Sequence, residues 1–291
     1  MIDFNVMETI KLRKSVRRYA DKTVGDSVKN ELTDYIQGIG SGPFGTTPRF
    51  QLLDLEPLKN KELRSLGTYG FIRGARLYLL GAIDDQQGAH EDLGFCLENI
   101  ILKATSLGLG TCWLGGTFKR AAFANRINLA SNELLPAITP VGWPEEKIST
   151  ADSLIRFIEG SKKRKPWSAL FLKGDGDTAL SEAEANEYKD VLEAVRMGPS
   201  ASNRQPWRII KDGSDKFHFY MKENIMINRI ISKVRLQNID MGIAMSHFEM
   251  TARAKGLPGG WIMKEPPFIC PGLKYIATWT LNKKLKAVVG D

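Results

Sequence analysis

Cysteine and histidine are scarce in this chain of 291 residues, which contains three of each. The cysteines Cys96, Cys112 and Cys270 lie far apart and form no Cys-x-x-Cys pair, which argues against a disulfide framework and against a zinc site. No Ser-His-Asp group or pair of carboxylates accompanies the scattered histidines, so we expect neither a bound metal nor a catalytic side chain. A reducing compartment, the cytoplasm, is the expected location.

We also expect no secretory leader and no membrane-spanning helix. Its first residues contain no long apolar stretch that ends in small residues. The most apolar candidate, residues 93–110, carries Glu98, Asn99 and Lys103, which a lipid-facing helix buries only at a large cost. We therefore expect a core helix there and no membrane partner.

Positive charge is in excess, with a formal net charge of +8 at pH 7 and an isoelectric point near 9.3. Such an excess favours anionic partners, for which nucleic acid and a phosphorylated cofactor are the two candidates. The basic residues are scattered, however, and the sequence contains no zinc finger and no aromatic nucleic-acid-binding strip. A basic solvated surface is a better interpretation than nucleic-acid binding.

Two segments align without a gap at a constant offset of 148 residues, 93–113 and 241–261. Each reads as a helix, a glycine turn and a tryptophan. Short apolar strands at 50–55 and 207–210 precede them, and late strands at 135–141 and 275–281 follow. The repeated order predicts a duplicated unit. We divide the chain into halves at 1–172 and 179–291, joined by a linker at Lys173–Thr178.

The two halves differ where chemistry is expected. Only the first half begins with a basic segment, in which Arg13, Ser15 and Arg17 alternate with other residues. In an extended chain this spacing puts the three side chains on one side, where guanidinium groups and a hydroxyl can grip a phosphate. The alternative is an exposed run of charge.

Only the second half has a stiff polar loop, residues 198–207, between a helix and a strand. Its prolines limit the entropy lost on binding, and its serines and amides suit the edge of a planar heterocycle or a ribityl chain. An ordinary capped turn would explain the prolines and serines but not Asn203 and Gln205 together. A Gly-x-Gly-x-x-Gly pattern at 40–45 follows a helix and precedes a strand, which is the wrong order for a dinucleotide-binding fold.

Taken together, these segments resemble the FMN-dependent nitroreductase family, closely over the first half and more loosely over the second. The R-x-S-x-R motif of the family is matched by Arg13, Ser15 and Arg17. Its P-S-x-x-N-x-Q-P-W loop is matched at 199–207, and its closing K-x-R-x-P at 162–166. Its glycine turn is similar to Leu114-Gly115-Gly116.

The resemblance implies an α+β fold, in which a mixed, mainly antiparallel sheet is flanked by helices and the unit is duplicated as a pseudodimer. Family members are usually homodimers that bind flavin at the interface, with the arginine segment from one subunit and the loop from the other. Here both motifs are on one chain, while residues 42–48 and 181–197 lack the matching patterns. We therefore expect a monomer with one intact FMN site.

The resemblance also assigns the residues that contact FMN. Arg13, Ser15, Lys162 and Arg164 would hold the phosphate, Arg17 would lie by the pyrimidine edge, and glycine-turn amides would approach the ring. The expected cofactor-binding set is Arg13, Lys14, Ser15, Arg17, Leu114, Gly115, Gly116, Lys162, Arg164, Pro199, Ser200, Ala201, Asn203 and Gln205.

The implied activity is ping-pong electron transfer from NADH or NADPH, through FMN, to a small nitroaromatic or quinone acceptor. The flavin carries the chemistry, and the protein orients and tunes it. Two alternatives remain open: a flavin-binding protein without turnover, and another reaction of the same fold such as reductive dehalogenation. A nucleic-acid binder is the least favoured alternative.

Overall fold

The structure is a computed structural model that describes residues 3–56, 58, 66–145, 163–174, 176–224, 233–264 and 269–282. Two long helices lie at its centre, and shorter helices and two sheets surround them. The helices are α1 (Val6–Leu12), α2 (Asp26–Gln37), α3 (Ala89–Ser106), α4 (Arg120–Arg126), α5 (Trp167–Leu170), α6 (Lys189–Met197) and α7 (Leu236–Ala254). In the described ranges no helix is both long enough and apolar enough to cross a bilayer.

The strands form two sheets, one of four strands in the order β1-β2-β4-β3 and one of six in the order β6-β5-β7-β8-β10-β9. Neighbouring strands are antiparallel except for β5 and β7, which are parallel. This arrangement confirms the predicted α+β class with a mixed, mainly antiparallel sheet. The strands are β1 (Arg49–Asp54), β2 (Leu77–Asp84), β3 (Gly110–Thr111), β4 (Glu133–Gly142), β5 (Phe171–Lys173), β6 (Thr178–Ala179), β7 (Trp207–Asp212), β8 (Lys216–Met221), β9 (Gly259–Ile262) and β10 (Lys274–Leu281).

The helices and strands predicted from the repeat are present at the expected positions. Helix α3 buries the apolar residues that predicted it, and Gly108, with φ of 79°, follows its last turn. A glycine adopts this left-handed conformation at no steric cost, which makes it a common helix stop. Gly256, with φ of 69°, occupies the same place after α7. Strands β1, β4, β7 and β10 include the four predicted strands almost completely.

Helices α3 and α7 cross at glycines, which allow their backbones to touch. A Cβ atom at Gly94 would collide with the carbonyl of Ile239, and one at Gly242 would collide with the carbonyl of Glu91. Gly94 and Gly242 are themselves aligned by the 148-residue offset. The two aligned helices therefore contact each other at equivalent positions.

The predicted linker forms a β-hairpin instead of a simple connection. Strand β5 pairs with β6 across the turn, and Gly174 and Gly176 have φ of 65° and 95°. Strand β5 also pairs in parallel with β7, so Phe171 and Leu172 lie in the six-stranded sheet beside the second predicted half. Local sequence patterns do not specify the partner of so short a strand, because its pairing is a long-range contact. The division of the chain into halves stays a prediction.

We predict that Gly94→Ala and Gly242→Ala will each lower the free energy of unfolding by about 2 kcal/mol or more, because an added methyl group forces packed backbones apart. Urea unfolding monitored by circular dichroism measures this loss. Gly40→Ala is the matched control, since no heavy atom lies within 4 Å of its added Cβ. Equal stability of the three variants would contradict the close helix crossing.

Candidate functional site

The basic segment after α1 is extended and lies beside β3. The amide of Val16 donates to the carbonyl of Thr111 at 2.8 Å, and Ser15 forms a parallel bridge with the same residue. The Val16 side chain is buried against Gly110, where a Cβ atom would leave no room for it. Lys14 is exposed. The extended conformation expected for this segment is therefore present.

The surroundings of Cys112 show where the three alternating side chains lie. Burial raises the pKa of the Cys112 thiol, and this effect is opposed by Arg17, by Arg13 and by a hydrogen bond with Ser15. All three side chains therefore gather around one buried sulfur atom. Cys112 itself is 3% exposed and remains a protonated thiol, which agrees with a packing role rather than a nucleophilic one.

The polar loop at 198–206 has an unusual backbone. Ser202, Asn203 and Gln205 have φ of 50°, 54° and 47°, a region that non-glycine residues seldom adopt. The Ser200 hydroxyl accepts from the Gln205 amide at 2.9 Å, and the Asn203 amide donates to the Ser200 carbonyl at 2.9 Å. Clustered strain of this kind persists only where surrounding contacts enforce it, and it is typical of functional sites.

The contacts that hold the polar loop in this conformation are made with residues 163–165. They are hydrogen bonds of the Asn203 and Gln205 side-chain amides. Asn203 Nδ2 donates to the Lys163 carbonyl at 2.8 Å, and its Oδ1 accepts from Arg164 Nη1 at 3.0 Å. Gln205 is 2% exposed, and its Oε1 accepts from the Lys165 amide at 2.9 Å. We refer to Asn203, Gln205 and residues 163–165 as the amide clamp. Its effect is to fix the position of the Arg164 guanidinium.

The amide clamp holds Arg164 where its charge interacts with that of Arg13, which relates the polar loop to the basic segment. Arg164 Nη2 donates to the Met197 carbonyl at the end of α6, at 2.9 Å. The pKa of Arg164 is lowered to about 10, mainly by burial and also by the like charges of Arg13 and Arg196, against the opposing charge of Glu193. Helix α1 packs on α3 and α6 through Val6 and Ile10, which holds the two arginines together.

This cluster fits an anionic group. Arginines that share a half-buried site repel each other, and a phosphate offsets the repulsion through paired charge-assisted hydrogen bonds. Ser15 adds a neutral donor on the same side. Of the remaining phosphate ligands expected from the sequence, Lys162 lies outside the described residues. A phosphate-bearing cofactor therefore matches the charges that the fold assembles here.

The glycine turn lies close to this cluster and is held rigidly. Leu114 exchanges two backbone hydrogen bonds with Ile138, and Arg120 Nη2 donates to the Gly115 carbonyl at 2.6 Å. A Cβ atom at Gly115 would come within 2.5 Å of Leu236. Thr111 is the bridge partner of Ser15, and Leu114 is three residues beyond it. The Cα atoms of Thr111 and Leu114 are therefore at most about 10 Å apart.

Two buried aspartates that the sequence interpretation missed hold the two related loops. Asp92 on α3 accepts from the amides of Phe44 and Thr46 at 2.8 Å each, and from the Thr46 hydroxyl at 2.8 Å. Asp240 on α7 accepts from the Ala201 amide at 2.8 Å. Asp92 and Asp240 obey the 148-residue offset, one position before the segments that were aligned. Extending the alignment by one residue would have found them.

The two aspartates differ in how many hydrogen bonds oppose the effect of burial. Burial raises the pKa of Asp240 to about 8 against a single opposing hydrogen bond, that from Ala201. Its second oxygen, Oδ2, is buried without a hydrogen-bond partner in the described residues. Burial also raises the pKa of Asp92, but three hydrogen bonds oppose that rise. Asp240 is therefore a neutral acid at pH 7.

The three free cysteines are buried, and the described residues contain no group of three His, Cys, Asp or Glu side chains that could hold a metal ion. Of the expected set, Arg13, Ser15, Arg17, Arg164 and Asn203 come together, and Leu114, Gly115 and Gly116 lie nearby. Pro199, Ser200 and Ala201 form the near end of the polar loop. Gln205 faces residues 163–165, and Lys14 faces solvent.

Known proteins match both the sequence and the fold. A family model described as "Putative TM nitroreductase" matches residues 5–252. The crystal structure of a putative nitroreductase from Thermotoga maritima is 19% identical, covers 97% of this chain and 94% of that one, and has a TM-score of 0.60. This likeness shows that nearly the whole chain, and not one half of it, has that fold, as the resemblance implied.

Two further matches cover about half of the chain. A curated protein of Methanothermobacter thermautotrophicus, "Putative NADH dehydrogenase/NAD(P)H nitroreductase", is 24% identical over 157 residues, which is 51% of this chain and 82% of that protein. A putative nitroreductase of Desulfovibrio desulfuricans, crystallised in complex with FMN, is 23% identical and covers 57% of this chain and 100% of its own, with a TM-score of 0.41.

We predict opposite effects for Asp92→Asn and Asp240→Asn. The carboxamide of Asp92→Asn turns an NH2 group toward a donor, which should cost roughly 1–3 kcal/mol of stability. Because the pKa of Asp240 is raised from 3.8 to about 8, its contribution to stability is fully present below pH 3.8 and is lost as the pH rises toward 8. Asp240→Asn removes this loss while it keeps the acceptor for Ala201.

Urea unfolding at pH 5 and pH 8 measures both effects. The stability of Asp240→Asn relative to the parent should rise with pH, and its advantage at pH 8 should exceed that at pH 5 by at least about 1 kcal/mol. A pH dependence that is the same in Asp240→Asn and the parent would contradict the neutral buried acid.

Proposed function

The chain belongs to the family described as "Putative TM nitroreductase", an oxidoreductase family, and from this premise we propose that it binds one FMN and reduces a small nitroaromatic or quinone at the expense of NADH or NADPH. The observation that carries the proposal is the meeting of Arg13 with Arg164 and the amide clamp. A basic segment near the amino terminus and a polar loop about 190 residues later thus contribute to one anion site.

In this proposal Arg13, Ser15 and Arg164 hold the flavin phosphate, together with Lys162, and Lys14 approaches from the solvent side. Arg17 stabilises negative charge at the pyrimidine edge of the ring. Asn203 and Gln205 act through the amide clamp, since their carboxamides are engaged by residues 163–165. The roles of Arg13, Ser15, Arg17, Lys162 and Arg164 are those that the family resemblance implies.

The other residues of the expected set lie around the rest of the cofactor in this proposal. Pro199, Ser200 and Ala201 border the site with a backbone that Asp240 holds in place. In this proposal the backbone amides of Leu114, Gly115 and Gly116 approach the ring, and Gly115 also leaves room for the Leu236 side chain, which packs against it. Bound FMN would supply hydride acceptance from NADH or NADPH and electron donation to the acceptor. The protein supplies binding, orientation and charge.

We further propose that the chain is a monomer that replaces the usual homodimer, with one site in place of two. The pairs Gly94 and Gly242, Asp92 and Asp240, and Gly108 and Gly256 support this, because the members of each pair play equivalent roles at the 148-residue offset. Residues 42–48 lack the serine and asparagine of the polar loop. A cytoplasmic location completes the proposal.

We predict about one flavin per chain in the purified protein reconstituted with FMN, measured by absorption after removal of free flavin. Arg13→Ala should weaken FMN binding by about tenfold or more, the loss expected for one charge-assisted contact to phosphate. Arg49→Ala is the control, since Arg49 carries the same charge but pairs with Glu133 at the edge of the four-stranded sheet. Two flavins per chain, or equal binding by both variants, would refute the single site.

For turnover, we predict parallel lines in double-reciprocal plots when the NADH or NADPH concentration is varied at several concentrations of a quinone. A ping-pong reaction gives this pattern because the reductant leaves before the acceptor binds. Intersecting lines would count against the scheme. A yellow protein that NADH and NADPH leave unbleached without oxygen would identify a flavin-binding protein without turnover.

A further inference from the structure

A buried ion pair, Glu98 with His247, joins the two central helices. Both side chains are 0% exposed, and His247 Nε2 lies 2.9 Å from Glu98 Oε1. The other ring nitrogen, Nδ1, lies 2.8 Å from the Ala194 carbonyl at α6, and Trp113 Nε1 donates to Glu98 Oε2 at 2.7 Å. His247 therefore bridges α6 and α3, with one ring nitrogen at the Ala194 carbonyl and the other at the Glu98 carboxyl group.

The same carboxylate lies next to Arg13. Arg13 Nε is 3.8 Å from Glu98 Oε1, and the arginine side chain is 6% exposed. Arg13 Nε is buried without a hydrogen-bond partner in the described residues, so Glu98 provides its compensating charge. With its Nε edge at Glu98, the guanidinium keeps its two Nη groups for an anion.

The equivalent place on the other side of the helix crossing is held by a neutral pair. Ser246 Oγ donates to Asn99 Oδ1 at 2.6 Å. The 148-residue offset relates Glu98 to Ser246 and Asn99 to His247, so the two pairs occupy exchanged positions on α3 and α7. A neutral pair is thus enough to join the helices. The charged pair stands on the side where Arg13 lies.

The desolvation of buried charges is costly and often exceeds the attraction between them, so a buried ion pair is weak evidence for a purely stabilising role. We propose that Glu98 and His247 are a positioning pair, which orients the Arg13 guanidinium toward the phosphate of the flavin. The inference rests on the proposed flavin binding and deepens it. His247 acts on Arg13 indirectly, because it holds the Glu98 carboxylate in place.

Glu98→Gln removes the charge and keeps the hydrogen bonds. The new carboxamide can accept from Trp113 and donate to Nε2 of a neutral His247, which still donates from Nδ1 to Ala194. The measurement is the dissociation constant of FMN, and separately of riboflavin, which lacks the phosphate, by quenching of flavin fluorescence. We expect Glu98→Gln to weaken FMN binding by about tenfold and to leave riboflavin binding unchanged.

Ser246→Ala is the matched control, because it removes the neutral pair from the same helix crossing. It should leave both dissociation constants near those of the parent chain. Equal weakening of FMN and riboflavin by Glu98→Gln would mean a general structural loss and would overturn the proposal. Unchanged FMN binding in Glu98→Gln would overturn it as well.

A double-mutant cycle separates this proposal from the proposed function. In the Arg13→Ala background, Glu98→Gln should cause no further loss of FMN affinity, since there is no guanidinium left to orient. A parent chain that binds neither flavin would refute the proposed function. The same cycle on unfolding of the flavin-free chain then decides the placement of Arg13: non-additive effects support the contact with Glu98, and additive effects overturn it.

Discussion

Two guanidinium groups of like charge, those of Arg13 and Arg164, are held close enough to interact in a largely buried site. Burial is the main reason that the pKa of Arg164 is lowered to about 10, and the charge of Arg13 acts in the same direction. Each group is held by a separate device: Arg13 faces the Glu98 carboxylate, and Arg164 is fixed by the amide clamp. Like charges held together in this way stabilise a bound anion. The other contacts of the site keep the two guanidinium groups in position.

The crossing of α3 and α7 makes this meeting possible. Without side chains at Gly94 and Gly242 the two backbones touch, and Gly115, which follows α3, packs against Leu236 at the start of α7. The crossing is nearly symmetric in its shape and asymmetric in its charges. Asp92 and Asp240 hold equivalent loops, yet Glu98 with His247 is an ion pair, whereas Asn99 with Ser246 is neutral. The charged side is the one that has Arg13 and the strained loop at 198–206.

Much of this architecture was predictable from local patterns. The apolar spacing and the glycine stop of α3 predicted a helix, and four strands were placed by short apolar runs, because both signals lie within a few residues. The pairing of β5 with β7 was not predictable, since a three-residue strand carries no mark of its partner. The alternation of Arg13, Ser15 and Arg17 predicted their common side, but the roles of Asn203 and Gln205 depend on residues about 40 positions away. Asp240 was missed because the alignment stopped one position short of it, and the pairing of His247 was missed because its partner Glu98 is known only after the helices cross.

A crystal structure of the chain with bound FMN tests the central claim most directly. The account predicts one flavin per chain, with its phosphate within hydrogen-bonding distance of both Arg13 and Arg164 and its ring beside residues 114–116. A flavin whose phosphate contacts neither arginine, or a second flavin beside the loop at 42–48, would contradict it.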